Sequence, residues 1–195
     1  QADDDVEVLA PALLRAVAGA VATTAGAWLA AGFVHGVLNT DNFNVTGESF
    51  DYGPWRFLPY FDPGFTAAYF DQTGRYAYGR QADACMWAMC RLADCFTVFC
   101  GEEVLKAQLH DFYPEMETSL ALGLARRLGI LPANNLQAGQ ELCSQFFYAA
   151  RASRAGFAQL LHDFWGGKQQ RGDYNPDAIA EFADCLSDFE PADNA

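Results

Sequence analysis

Apolar and small residues run almost unbroken from Val6 to Gly32, with only Glu7 and Arg15 charged. The pattern predicts one long helix, with Pro11 near its first turn and Gly32 as its stop. Residues 33–42 read as a loop. "FNVTGESFDY" alternates about Gly47 and predicts two short strands, a small hairpin. Residues 52–80 are dense in Gly, Pro and aromatics; a segment of that length is expected to be ordered by its own rings. From Gln81 the pattern turns helical and stays so. Pro114 either kinks a helix or starts a new one, and Gly129 is a stop. Further helices are expected over about 135–151, 153–165 and 176–187, the last with Asn175 as N-cap and Pro176 at its first position. The aromatic run "QFFYAARASRAGFAQLLHDFW" reads as core. The expected fold is mainly α with one polar, hairpin-bearing loop near its start, residues 1–195 forming a single domain.

Residues 16–34 carry no charge and have the length of a bilayer span, but Ala, Gly and Thr dominate them. A buried helix at the centre of a helical domain is the better reading, without a membrane role. The chain holds 16 Phe, 8 Tyr and 4 Trp, enough to build a core. Its net charge of −13 argues against nucleic acid, whose phosphates would be repelled. A nucleotide stays open, because Mg²⁺ bridges carboxylates and phosphates. Cys85, Cys90, Cys95 and Cys100 recur every five residues, which on a helix spreads them over different faces. Without a CxxC pair they are expected, with Cys143 and Cys185, to be reduced and mostly buried thiols of a cytoplasmic protein.

Candidate chemistry lies in "HGVLNTDNFNVTGESFDYG", residues 35–53. Phosphoryl and nucleotidyl transfer need phosphates held by a cation and a nucleophile placed in line. Mg²⁺ takes hard oxygens, one or two carboxylates plus an amide, with water and phosphate completing the shell. Asn42 and Asp51 suit that role, and Asp41 could accept a proton from an incoming hydroxyl. The spacing matches the kinase pattern H-R-D-L-x-x-x-N followed by D-F-G. His35, Leu38 and Asn42 fall on its His, Leu and Asn, and Asp51-Tyr52-Gly53 on D-F-G, while Val37 stands where a kinase keeps its catalytic Asp. Asp-Asn pairs and D-Y-G also occur in plain turns. His35 is expected to be a hydrogen-bonded core residue. Arg75 and Arg80 could meet a phosphate or substrate, but ion pairs with the acidic surface are the expectation. His110-Asp111 and His162-Asp163 are neighbours on predicted helices, where adjacent side chains do not face each other.

"GFVHGVLNTDNFNVTGESFDYGPWRFL", then "DPGF", then "GRYAYGRQ" resemble the selenoprotein O family, densely over residues 28–100 and as a helical pattern beyond. That family typically reads H-G-V-M/L-N-T-D-N, D-Y-G-P, D-P-G-F and Q-G-R-Y-x-Y in this order. The resemblance implies the helical C-terminal lobe of a protein-kinase-like fold. It implies protein adenylyl transfer: AMP moves from ATP to a Ser, Thr or Tyr hydroxyl and pyrophosphate is released. It implies Asp41 as proton acceptor, and Asn42 and Asp51 as ligands of Mg²⁺ (Mn²⁺ being an alternative), with Asp51 also close to the nucleotide. ATP and protein substrates are the partners so implied. An O-phosphotransferase and a non-catalytic pseudokinase scaffold are the alternatives. The family's N-terminal lobe supplies a Gly-rich loop and a Lys that grip ATP, whereas Lys106 and Lys168 are the only lysines here. The chain is therefore expected to be a C-lobe portion, inactive by itself.

Overall fold

The computed structural model describes residues 2–192, with side-chain environments from Val6 onward; Gln1 and residues 193–195 of the expected domain lie outside the described residues. It is mainly helical, with one two-stranded sheet. Helix α1 spans Ala2–Ala31, and β1, Phe33–Val34, follows directly. A 3-10 turn covers Thr40–Asn42, β2 is Arg56–Phe57, and a second 3-10 turn, Tyr78–Arg80, leads into α2, Gln81–Phe96. Then come α3 (Glu102–Gln108), α4 (Phe112–Leu128), α5 (Leu136–Ser153), α6 (Phe157–Asp163) and α7 (Pro176–Leu186).

Helix α1 is the axis of the molecule, packing against α4 most extensively and also against α2 and α3. Its small residues explain how. A Cβ on Gly26 would lie 2.4 Å from the Met116 carbonyl oxygen, so only glycine lets the α1 and α4 backbones approach this closely. The middle of α1 is buried at Val21, Ala22 and Ala25, while Val8, Leu9 and Leu13 at its N-terminal end are exposed. The buried-helix expectation for residues 16–34 therefore holds on one face, at Val17, Ala18, Val21, Ala22, Ala25 and Ala30, and these exposed residues lie before that stretch. By length and composition Val6–Ala31 could also cross a membrane.

Two buried clusters flank this axis. One joins α1 to α2, α3 and the start of α4 through Leu14, Val17, Cys85, Met89, Leu105 and Phe112. The other joins α4 to α5, α6 and α7 around Phe146, Phe157, Phe164 and Phe182. Leu29 touches both, so the two halves share one wall. The aromatic run at 145–165 supplies much of the second cluster, as expected.

Helix ends follow their local chemistry. Asn175 Oδ1 accepts from the Asp177 amide, and Pro176 opens α7. Pro114 sits in the first turn of α4, where its missing N–H costs nothing, so it starts a helix and does not kink one. Gly129 ends α4 in the left-handed conformation. Arg154 adopts φ 54° and separates α5 from α6, which therefore begins at Phe157 and not at the expected 153. Asp163 is buried on α6 and accepts from Tyr174 Oη (2.6 Å) and Gln159 Nε2 (2.6 Å). Desolvation pushes its carboxyl up, but these bonds and a contact with His162 more than offset that and hold it below the usual range. The Tyr174 bond fastens the 164–175 loop onto α6.

Several expectations change. Around Gly47 there is one isolated bridge, Phe43 with Ser49, and the sheet forms elsewhere. Phe33 pairs with Phe57 and Val34 with Arg56, so strands more than twenty residues apart close the loop at its base. Of the six free cysteines only Cys85 is buried, where desolvation pushes its thiol up to about 12; Cys95 is exposed. His110 Nδ1 lies 3.1 Å from Asp111 Oδ1, and His162 Nδ1 lies 3.5 Å from Asp163 Oδ1. These neighbours meet because His110-Asp111 bridges the gap between α3 and α4 and His162-Asp163 ends α6, where helical geometry no longer holds the side chains apart.

Candidate active site

Sheet pairing brings the two halves of the 35–55 loop into contact. The Leu58 amide donates to Gly32 O (2.8 Å), and the Gly36 amide donates to Tyr52 O (2.9 Å). One residue further on, Asn42 Nδ2 donates to Val37 O (2.9 Å). Residues 36 and 37 thus hold Asn42 by one bond and the Asp51-Tyr52-Gly53 segment by another. Val37, in the kinase Asp position, packs against this second segment. A Cβ on Gly53 would lie 2.8 Å from Val37 Cγ2, and Gly53 has φ 57°, so glycine is required there on both counts.

Asp41 and Asn42 share the short 3-10 turn, where successive residues are about 120° apart around the axis. That rotation separates their environments: Asn42 is buried and Asp41 is exposed. The Asn42 amide donates to Asn39 O (3.1 Å) and closes the turn. Tyr76 Oη donates to Asn39 Oδ1 (2.5 Å) and ties the turn to the 71–80 loop. Asp71 holds that loop in turn, accepting from the Arg75 and Tyr76 amides. Asp51 is exposed, and its Oδ1 accepts from the Gly53 amide (3.0 Å).

His35 is fully buried between Trp28 and Tyr52, with ring centroids 5.3 and 5.2 Å away. The Val37 amide donates to Nδ1 (3.0 Å), so that nitrogen carries no proton, and Nε2–H donates to Ser49 Oγ (2.8 Å). Its own amide donates to Gln81 Oε1 (2.8 Å), while Gln81 Nε2 donates to Phe33 O (2.9 Å). This fits the expectation of a hydrogen-bonded core residue. Burial lowers its pKa from 6.5 to about 4, against an upward pull from Asp51.

A pH dependence follows. With its folded pKa depressed, His35 adds stability that is complete above pH 6.5 and is lost as pH falls toward 4. At about 1.4 kcal/mol per pKa unit this amounts to about 3 kcal/mol. Chemical denaturation of wild type and His35→Gln across this window measures it. The variant is expected to lose less stability on acidification, and parallel curves would show that His35 does not titrate in this way.

As for a cation, Asn42 commits its nitrogen and not its oxygen to Val37, while Asp51 keeps Oδ2 clear of the Gly53 bond. Two hard oxygens, one amide and one carboxylate, fit Mg²⁺ held largely by phosphate and water. Among the described residues no three or more His, Cys, Asp or Glu cluster as a metal cage, so the fit is to that kind of shared site alone.

Sequence reading missed three residues that build the site: Ser49, Tyr76 and Gln81. The last two lie in the quoted "GRYAYGRQ" stretch, but nothing local to it shows that they reach back to residues 33–39. Ser49 carries no signal at all. Among the described residues Arg75 and Arg80 pair with no carboxylate, contrary to expectation: Arg75 lies over Trp87, 5.2 Å to the centroid, and Arg80 donates to Thr73 O and Gly74 O.

The architecture is thus a helical scaffold presenting one polar double loop, with an outward carboxylate at Asp41 and with Asn42 and Asp51 on its two arms. A model of the family described as "Protein adenylyltransferase SelO" matches residues 6–190, and the chain belongs to that family. Its relatives include proteins named "Protein nucleotidyltransferase YdiU". The one from Synechocystis is 42% identical over 128 residues, covering 66% of this chain and 26% of the relative. The one from Trichodesmium erythraeum is 35% identical over 173 residues, covering 87% and 34%. The one from Gloeobacter violaceus is 59% identical over 71 residues, covering 36% and 15%. The chain therefore spans about a third or less of the length of these relatives.

Proposed function

We propose that this chain is the catalytic lobe of a kinase-like protein adenylyltransferase, moving AMP from ATP to Ser, Thr or Tyr hydroxyls of proteins. The observation that carries the reading is the 40–42 turn, which faces Asp41 outward while fastening Asn42 to the backbone that also holds the Asp51 segment. Membership of the SelO family supports it.

The Asp41 carboxylate takes the proton of the acceptor hydroxyl as its oxygen bonds to the α-phosphorus. The bond from that phosphorus to the bridging oxygen breaks, and pyrophosphate leaves with the electron pair. Asn42 and Asp51 would hold Mg²⁺, which supplies positive charge beside the phosphates. Val37 contributes no acid or base; it keeps the two segments in register through Gly53. His35, buried and neutral near pH 7, supports the loop through Ser49 and Val37 and does not touch substrate.

ATP labelled at either the α or the γ position tests this, in a protein of the relatives' length and with Mg²⁺ present. Label from the α position is expected on protein acceptors, removed by chelation of the metal. Label transferred from the γ position would make the protein a phosphotransferase. Binding of ATP without transfer of either label would make it a scaffold.

A further inference from the structure

Acid dominates this chain, with 25 Asp and Glu against 12 Lys and Arg, yet residues 56–91 hold four arginines and three aspartates. Those aspartates are engaged within the fold. Asp62 accepts from the Gly64 amide, Asp71 from the Arg75 and Tyr76 amides, and Asp83 from Tyr113 Oη. The Arg75 and Arg80 guanidiniums pair with no carboxylate among the described residues. Both border a groove of about 410 Å³ between the 71–80 loop and α2, lined also by Leu38, Tyr76, Asp83 and Trp87.

This groove adjoins the candidate active site. Leu38 at its edge directly precedes the Asn39–Asn42 turn, and Tyr76 in its wall donates to Asn39. Trp87 is 44% exposed and gives the groove an apolar face. Arg75 and Arg91 both lie over it, at 5.2 and 5.7 Å. Arg91 is paired with Asp94, and Asp83 is the one carboxylate in the lining, so Arg75 and Arg80 leave the groove net positive.

We propose that this groove docks an acidic segment of the protein acceptor, placing the neighbouring hydroxyl at Asp41. The occupant follows from charge: two unpaired guanidiniums beside an exposed indole suit carboxylates on a peptide with some apolar surface. An acidic protein surface elsewhere repels the same segment and favours this one place for it. The inference rests on the transfer reading and adds substrate selection to it.

Binding to the 195-residue chain tests the groove without requiring transfer. The probes are two fluorescent Ser-containing peptides, one flanked by Asp and Glu, the other by Asn and Gln, titrated by anisotropy. The acidic peptide is expected to bind ~10-fold more tightly, and the preference shrinks as salt rises. Arg75→Glu abolishes the preference for the acidic peptide. Trp87→Ala weakens both peptides. Arg75 is exposed and its guanidinium makes no hydrogen bond among the described residues, so an unchanged melting temperature shows that its variant folds. Equal affinity of the two peptides, or an intact preference in Arg75→Glu, overturns the proposal. So does displacement of the acidic peptide by pyrophosphate at matched ionic strength, which would make the arginines a phosphate site. Absent transfer of α-label with the preference intact overturns the transferase reading alone; transfer with no preference overturns the docking groove alone.

Discussion

Asp41→Ala is expected to lower AMP transfer by ~10²–10⁴-fold, the range for loss of a positioned general base. The loss should fall on kcat, because a proton acceptor acts in the transition state and contributes little to ATP binding. Stability should be unaffected. Asp41 is exposed and its side chain makes no hydrogen bond among the described residues, so its removal leaves no unpaired partner. Asn42→Ala is the contrasting case. It removes a proposed metal oxygen and also frees the Val37 carbonyl, so activity and loop integrity fall together. The comparison is read from kcat, KM for Mg²⁺·ATP and melting temperature in the two variants. An Asp41→Ala protein with full kcat removes Asp41 from the mechanism.

Phe146→Ala is expected to cost about 3–5 kcal/mol of stability, as for other fully enclosed aromatics. Its ring is 0% exposed and meets Phe147, Phe157 and Phe182 with centroids 5.3, 5.3 and 5.8 Å away. It therefore joins α5 to α6 and α7 at once. Those neighbours belong to three helices and cannot all move inward together, so a cavity persists. Tyr148, two residues along α5, is 54% exposed, and Tyr148→Ala should cost far less. Denaturant unfolding of both variants checks the contrast, and equal losses would contradict the core assignment. The same cluster contains Val34 and Tyr78, so loosening it also loosens β1 and the turn before α2 that support the site.

How much of this was legible beforehand depends on the distance over which each feature is decided. The helices from Gln81 onward, apart from the late start of α6 at Phe157, and the Asn175-Pro176 start and Gly129 stop agree with the sequence pattern, because caps and apolar periodicity act within one or two turns. Asp41, Asn42 and Asp51 were visible as candidates because their residue types and spacing persist in the chain. The hairpin at Gly47 was misjudged for the opposite reason. Alternation around a glycine is satisfied by a single bridge when the stronger pairing, Phe33 with Phe57, lies outside the window. The arginine ion pairs failed similarly, since the aspartates nearest in sequence are occupied by backbone amides and Tyr113.

Residue order thus settled most of the helical segments and supplied candidates for proton transfer and cation binding, because those rest on composition and on contacts a few residues apart. Packing in three dimensions settled the rest. Asp41 faces out and Asn42 faces in because a 3-10 turn is tied down by Tyr76 and Val37. His35 is neutral because Trp28, the Ser49–Tyr52 segment and Gln81 converge on it from three separate parts of the chain. Burial and hydrogen-bond partners of that kind come from residues up to 46 positions apart, and no local pattern encodes them.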